Sequence, residues 1–167
     1  MRLKASLPLS VGSSKRILIA PLDWGLGHAA RCVPIIDQLS NSYEVVLAGS
    51  GRVKSFFENS HPRLEIIEFA GYDIRYPDRG SMALKMLMQM PKVLNRIKEE
   101  HNELQLIISD HNIDLVISDN RFGLYSDKVP TVYITHQINI QTPVGESSLY
   151  KLHRKYIDRF TECWIPD

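Results

Sequence analysis

Five short runs, RILIAPL (residues 16–22), YEVVLAG (43–49), LEIIEF (64–69), IDLVIS (113–118) and TVYIT (131–135), are β-branched and almost unbroken in hydrophobicity. Runs of this kind form strands buried on both faces, as in a parallel sheet covered by helices; strands with one wet face alternate instead. Helical patterns fall between them: HAARCVPIIDQLS after the first, RVKSFFENS after the second, and a long stretch from Ser81 to about Asn112 after the third. This alternation predicts an α/β fold, a doubly wound, mainly parallel sheet with helices on both faces. A last helix over residues 146–161 leads into ECWIPD, a further strand-like piece. Residues 16–167 are therefore expected to form one domain. Residues 1–15, whose apolar runs are broken by Lys4 and Pro8, read as a flexible tail and not as a signal peptide. A strand that ends flush with the C-terminus reads as an interrupted protein, with a second domain expected beyond it.

The chain has 167 residues, enough to bury a substantial single core. Twenty basic and nineteen acidic side chains leave almost no net field, so nothing in the charge calls for nucleic acid. Cys32 and Cys163 form no C-x-x-C and lie in apolar segments, which predicts two buried thiols in a reducing compartment, by default the cytoplasm. No stretch reaches the roughly 18 uninterrupted apolar residues of a membrane span, which predicts a soluble protein.

The segment PLDWGLGHAARCVPI (21–35) carries the chemistry. In the commonest doubly wound order the first and fourth strands are neighbours, and ligands bind beyond their carboxyl ends, where the winding reverses. His28 follows the first strand and Asp119 follows the fourth, so the two are expected to flank one crevice. Gly25 and Gly27 permit a sharp turn and a close approach to a ligand, and His28 then falls in the first turn of a helix. There a neutral imidazole can accept a proton while a carboxylate orients its other nitrogen, which is a general base with its support. The alternative is that His28 only caps and packs the loop. GLGHAA is also one letter from a dinucleotide-binding pattern, but that reading needs an acidic residue at the end of the second strand. This strand ends LAGSGR; Glu44 is at its other end, Arg52 is the one feature that excuses the absence, and Trp24 stands before the first glycine.

RILIAPLDWGLGHAARCVPIIDQL, IDLVISDNRFGLYSDKVPTVYITHQ and the terminal ECWIPD resemble the N-terminal half of GT-B glycosyltransferases, especially the lineage of the lipid II-forming N-acetylglucosaminyltransferase and the UDP-glycosyltransferases. The resemblance covers residues 16–167. It implies a Rossmann-like domain that binds a hydroxyl acceptor, with a C-terminal domain, absent from this chain, holding most of a nucleotide sugar, UDP-linked in that lineage. It further implies that Gly25, Leu26 and Gly27 approach the donor diphosphate and that His28 deprotonates the acceptor with Asp119 in support. Trp24, Asn120, His136 and Gln137 would line the cleft. DWGLGH departs from the lineage's Gly/Thr-rich loop and puts Trp24 where the diphosphate approaches. Inversion or retention at the anomeric carbon stays open.

GYDIRYPDRGS (71–81) follows the third strand at the same edge, and its Tyr72, Asp73, Arg75 and Arg79 are either acceptor contacts or a solvated connection. SMALKMLMQMPKVLNRIK (81–98) sets methionines and leucines among basic residues. It is either a helix packed on the sheet with a break near Pro91, or a face for a lipid-linked acceptor and peripheral membrane contact. His61, His101, His111 and His153 have no metal-ligand spacing and are expected at the surface, so no metal site is expected. There is no D-x-D, GxxxxGK[ST] or GxSxG. A sugar-nucleotide epimerase of the same fold and a non-catalytic scaffold are the alternatives to a transferase.

Overall fold

The computed structural model describes residues 14–71, 82–135 and 146–166, with the backbone alone for residues 82–89, 146–150 and 152. In chain order the elements are β1 (Arg16–Pro21), α1 (Leu26–Leu39), β2 (Glu44–Gly49), α2 (Gly51–Ser60) and β3 (Glu65–Glu68). Then come α3 (Met82–Asp110), β4 (Leu115–Asp119), β5 (Thr131–Ile134), α4 (Glu146–Ile157) and β6 (Glu162–Trp164). The sheet order is β3-β2-β1-β4-β5-β6, and every pairing is parallel. The chain winds outward from β1 to β3, crosses back through α3 to lay β4 against the free side of β1, and then winds the other way. The expected doubly wound sheet is present, with its switch point between β1 and β4.

Strand side chains alternate between two cores. Ile17, Ile19, Val45, Leu47, Leu115, Ile117, Val132 and Ile134 meet Ala29, Cys32 and Ile36 of α1 and Val53 and Phe57 of α2. The intervening residues Leu18, Ala20, Val46, Ala48, Val116 and Tyr133 meet Leu104, Ile107 and Ile108 of α3 and Ile157 of α4. Every central strand is thus lined on both faces, which is why its sequence is apolar without alternation.

Several details differ from expectation. β3 is an edge strand and is not buried on both faces, and an apolar run does not distinguish edge from centre; the strand expected in ECWIPD is β6, at the other edge. Cys163, on β6, is half-buried for the same reason; Cys32 is buried. His153 is buried, its ring edge-on to Phe122, and is no surface residue. His101 stacks on Tyr125 at 4.0 Å. α3 has no break at Pro91, because the burial of Ile97 and Leu104 on its inner face outweighs one forfeited backbone bond. No helix among the described residues is long and apolar enough to cross a membrane.

Candidate active site at the mouth of β1 and β4

Register and parity bring the site together. Pro21 of β1 lies opposite Asp119 of β4, and the Leu22 amide donates to the Asp119 carbonyl at 2.9 Å, so both strands end at one level. Asp119 is the last residue of β4, not the first beyond it. It shares the parity of Leu115 and Ile117, so its side chain faces α1. The turn into α1 is made at Gly25, whose φ of 144° and ψ of 164° admit only glycine. Leu26 and Gly27 are already helical, and a Cβ at Gly27 would meet nothing within 4 Å. Gly25, the N-cap residue, has no side chain to cap the start of α1, and no acid stands in the helix's first turn, so the positive end of the helix dipole is not offset from within the helix.

From this helix His28, Arg31 and Cys32 project to one side, as residues spaced three and four apart do. His28 Nδ1 lies 3.2 Å from Asp119 Oδ2. The histidine and carboxylate expected to share a crevice are therefore neighbours. Asp119 is wholly buried, while the His28 side chain keeps 21% exposure. Arg31 is the member the sequence reading missed. Its Nε donates to Asp119 Oδ2 at 2.5 Å, its Nη2 bonds Oδ1, and the same Nη2 lies 2.7 Å from His28 Nδ1. Once α1 is oriented, the i,i+3 spacing from His28 is the signal that finds it. The hydrogen bond to Asp119 holds the Arg31 guanidinium further above its ordinary range, so it stays a cation at every accessible pH. Burial first, and the Asp119 charge second, push the Cys32 thiol up to about 12, so Cys32 is an inert wall of the site.

Asp23, Trp24 and Asn120 follow the ends of β1 and β4, and Gly71 follows the end of β3. Trp24 is exposed at 43%, and Asn120 takes a left-handed turn (φ 57°) with its Oδ1 accepting from the Tyr133 hydroxyl at 3.2 Å. The Asp23 carboxylate lies so close to Gly71 that a Cβ there would meet Oδ2 at 1.6 Å. The chain leaving β3 is clamped by two arginines: Arg96 Nη2 and Arg121 Nη2 donate to the Ala70 carbonyl at 2.8 and 2.6 Å. Arg121 itself pairs with Glu100 (Nε to Oε1, 2.6 Å), and both side chains are fully buried. Asp23, Gly71 and this buried pair were not foreseen, since no spacing in the sequence links them. Tyr72, Asp73, Arg75, Arg79, His136 and Gln137 lie outside the described residues, as does most of residues 1–15. Among the described residues no three acidic, histidine or cysteine side chains are grouped to hold a metal.

Comparisons with known proteins bear on the fold that brings these residues to the ends of β1 and β4. The family model described as glycosyl transferase family 1 matches residues 15–144, most of the chain, and the chain belongs to that family. No curated protein sequence matches it. Among solved structures it is similar to UGT89C1 of Arabidopsis thaliana complexed with UDP-L-rhamnose, with a TM-score of 0.63 at 10% identity, over 93% of this chain and 46% of that one. It is also similar to the calicheamicin glycosyltransferase CalG4, with a TM-score of 0.56 at 14% identity over 85% and 37% of the two chains. The glycosyltransferase SnogD of Streptomyces nogalater gives 0.52 at 18% identity over 87% and 40%. At these identities the likeness is one of fold, and it is the Rossmann-like half of GT-B proteins. The chain spans less than half the length of each of the three.

Proposed function

We propose that this chain is the acceptor-side domain of a glycosyltransferase that moves a sugar from a nucleotide donor, UDP-linked as in the UGT89C1 complex, to a hydroxyl acceptor. The observation that carries the reading is the His28–Asp119 contact at the open end of β1 and β4. His28 Nε2 takes the acceptor proton as the acceptor oxygen bonds to the anomeric carbon. The bond from that carbon to the diphosphate breaks, and the electron pair leaves with the phosphate. Asp119, bonded to a proton on Nδ1, fixes the ring and balances the charge it gains. The amides at the start of α1 face the departing diphosphate, where negative charge grows. Trp24 and Asn120 border the acceptor. The nucleotide is held chiefly by a second domain beyond this chain, so the chain alone is expected to turn over little.

The test compares the longer protein with its His28→Ala variant in sugar transfer and donor hydrolysis. Loss of a general base lowers kcat by about 10²–10⁴-fold. An unchanged kcat removes His28 from the reaction.

A further inference from the structure

Two contacts at Nδ1 of His28 exclude one another. A guanidinium only donates hydrogen bonds and a carboxylate only accepts them. The 2.7 Å approach of Arg31 Nη2 therefore requires a bare Nδ1, whereas the 3.2 Å approach of Asp119 Oδ2 requires a proton there. Nδ1 has one in-plane position and serves one partner. Distance favours the guanidinium, because a proton on Nδ1 would set two donors against each other at 2.7 Å. Asp119, for its part, does not depend on the histidine. Arg31 engages both of its oxygens in a bidentate fork, which satisfies a fully buried carboxylate.

We infer that Arg31 is a positioning residue that holds His28, in the unliganded chain, in the tautomer with its proton on Nε2. The inference rests on the reading of His28 as the base and adds a condition to it. A ring protonated at Nε2 donates to an acceptor hydroxyl and cannot take its proton. The base form has Nε2 bare and Nδ1–H bonded to Asp119, and it arises only when Nη2 of Arg31 leaves Nδ1. The Arg31 side chain keeps 26% exposure at the mouth, so its guanidinium has somewhere to go. Arming the base is thus a displacement of one guanidinium nitrogen.

The experiment is a two-bond ¹H–¹⁵N correlation spectrum of the imidazoles in the ¹⁵N-labelled 167-residue chain at about pH 8, above the ordinary histidine range. His28 is assigned by its absence in His28→Gln. The expected spectrum shows a bare Nδ1 and a protonated Nε2. In Arg31→Leu the two patterns exchange, because the stripped Asp119 carboxylate then takes Nδ1–H as its nearest donor. A wild-type spectrum with the proton on Nδ1 overturns the proposal, and so does a folded Arg31→Leu chain whose tautomer is unchanged. If Arg31→Leu does not fold, the wild-type spectrum alone decides. No donor or acceptor is present in the sample, so this outcome stands apart from sugar transfer: kinetics with His28→Ala can fail while the tautomer assignment holds, and the reverse.

Discussion

At Gly25 the backbone occupies a region closed to residues with a Cβ, yet a Cβ built there meets nothing within 4 Å. The cost of Gly25→Ala is therefore conformational and not steric, about 1–3 kcal/mol. A lower urea midpoint with an unchanged m-value is the expected result; an unmoved midpoint would mean that the turn into α1 relaxes freely. Cys32 gives a second handle on the same site. Its Sγ lies 3.9 Å from Asp119 Oδ2, and burial, then that carboxylate, push the thiol from 9.0 up to about 12. Because the folded chain resists ionisation, this group's contribution to stability is fully present below pH 9.0. It is lost as pH rises from there to about 12, where the folded thiol also ionises. At about pH 8 iodoacetamide should modify the half-buried Cys163 before Cys32, as read by peptide mass. Early modification of Cys32 would show that the wall behind Asp119 opens.

Between elements, the Arg121–Glu100 pair fastens the segment after β4 to α3. Glu100 also accepts from the Gly123 amide at 2.8 Å, and the Arg121 guanidinium sits 4.2 Å over the Phe69 ring. Arg121→Met leaves the buried Glu100 carboxylate without its guanidinium and should cost about 3–5 kcal/mol in urea unfolding. Replacing both partners, Arg121→Met with Glu100→Leu, should recover most of that loss, since neither charge then remains to be desolvated. A double variant as unstable as the single would assign the cost to packing over Phe69. The pair also marks where sequence reading stops. The strands were legible because burial on both faces leaves an unbroken apolar run, and His28 and Asp119 were legible because strand ends at a switch point converge. Arg31 required the helix's rotation about its own axis, which a loop motif does not supply. Arg121 and Glu100 look like ordinary surface charges in the chain, and only the crossing of α3 over the sheet seals them from water. The edge positions of β3 and β6 depend on winding order, to which local composition is blind.

Across the described residues the sheet separates its two larger cores, which share strands but not side chains. Ile36 of α1 belongs to one and Leu104 of α3 to the other, and both are fully buried. Truncating either to alanine removes the transfer energy of a large side chain and leaves a cavity, about 2–5 kcal/mol each. With a whole β-layer between them the sites share no partner, so the double variant should lose the sum to within about 0.5 kcal/mol. Urea midpoints of the two single variants and the double, at constant m, measure this directly. A coupling well above that margin would mean that strain passes through β1 and β4 from one face to the other. The same two strands carry Pro21 and Asp119 at their ends, so a sheet that transmits strain would move the histidine–carboxylate contact whenever either core is repacked. Additivity would instead fix the mouth as a rigid platform that holds Pro21 and Asp119 at one level whichever core is repacked.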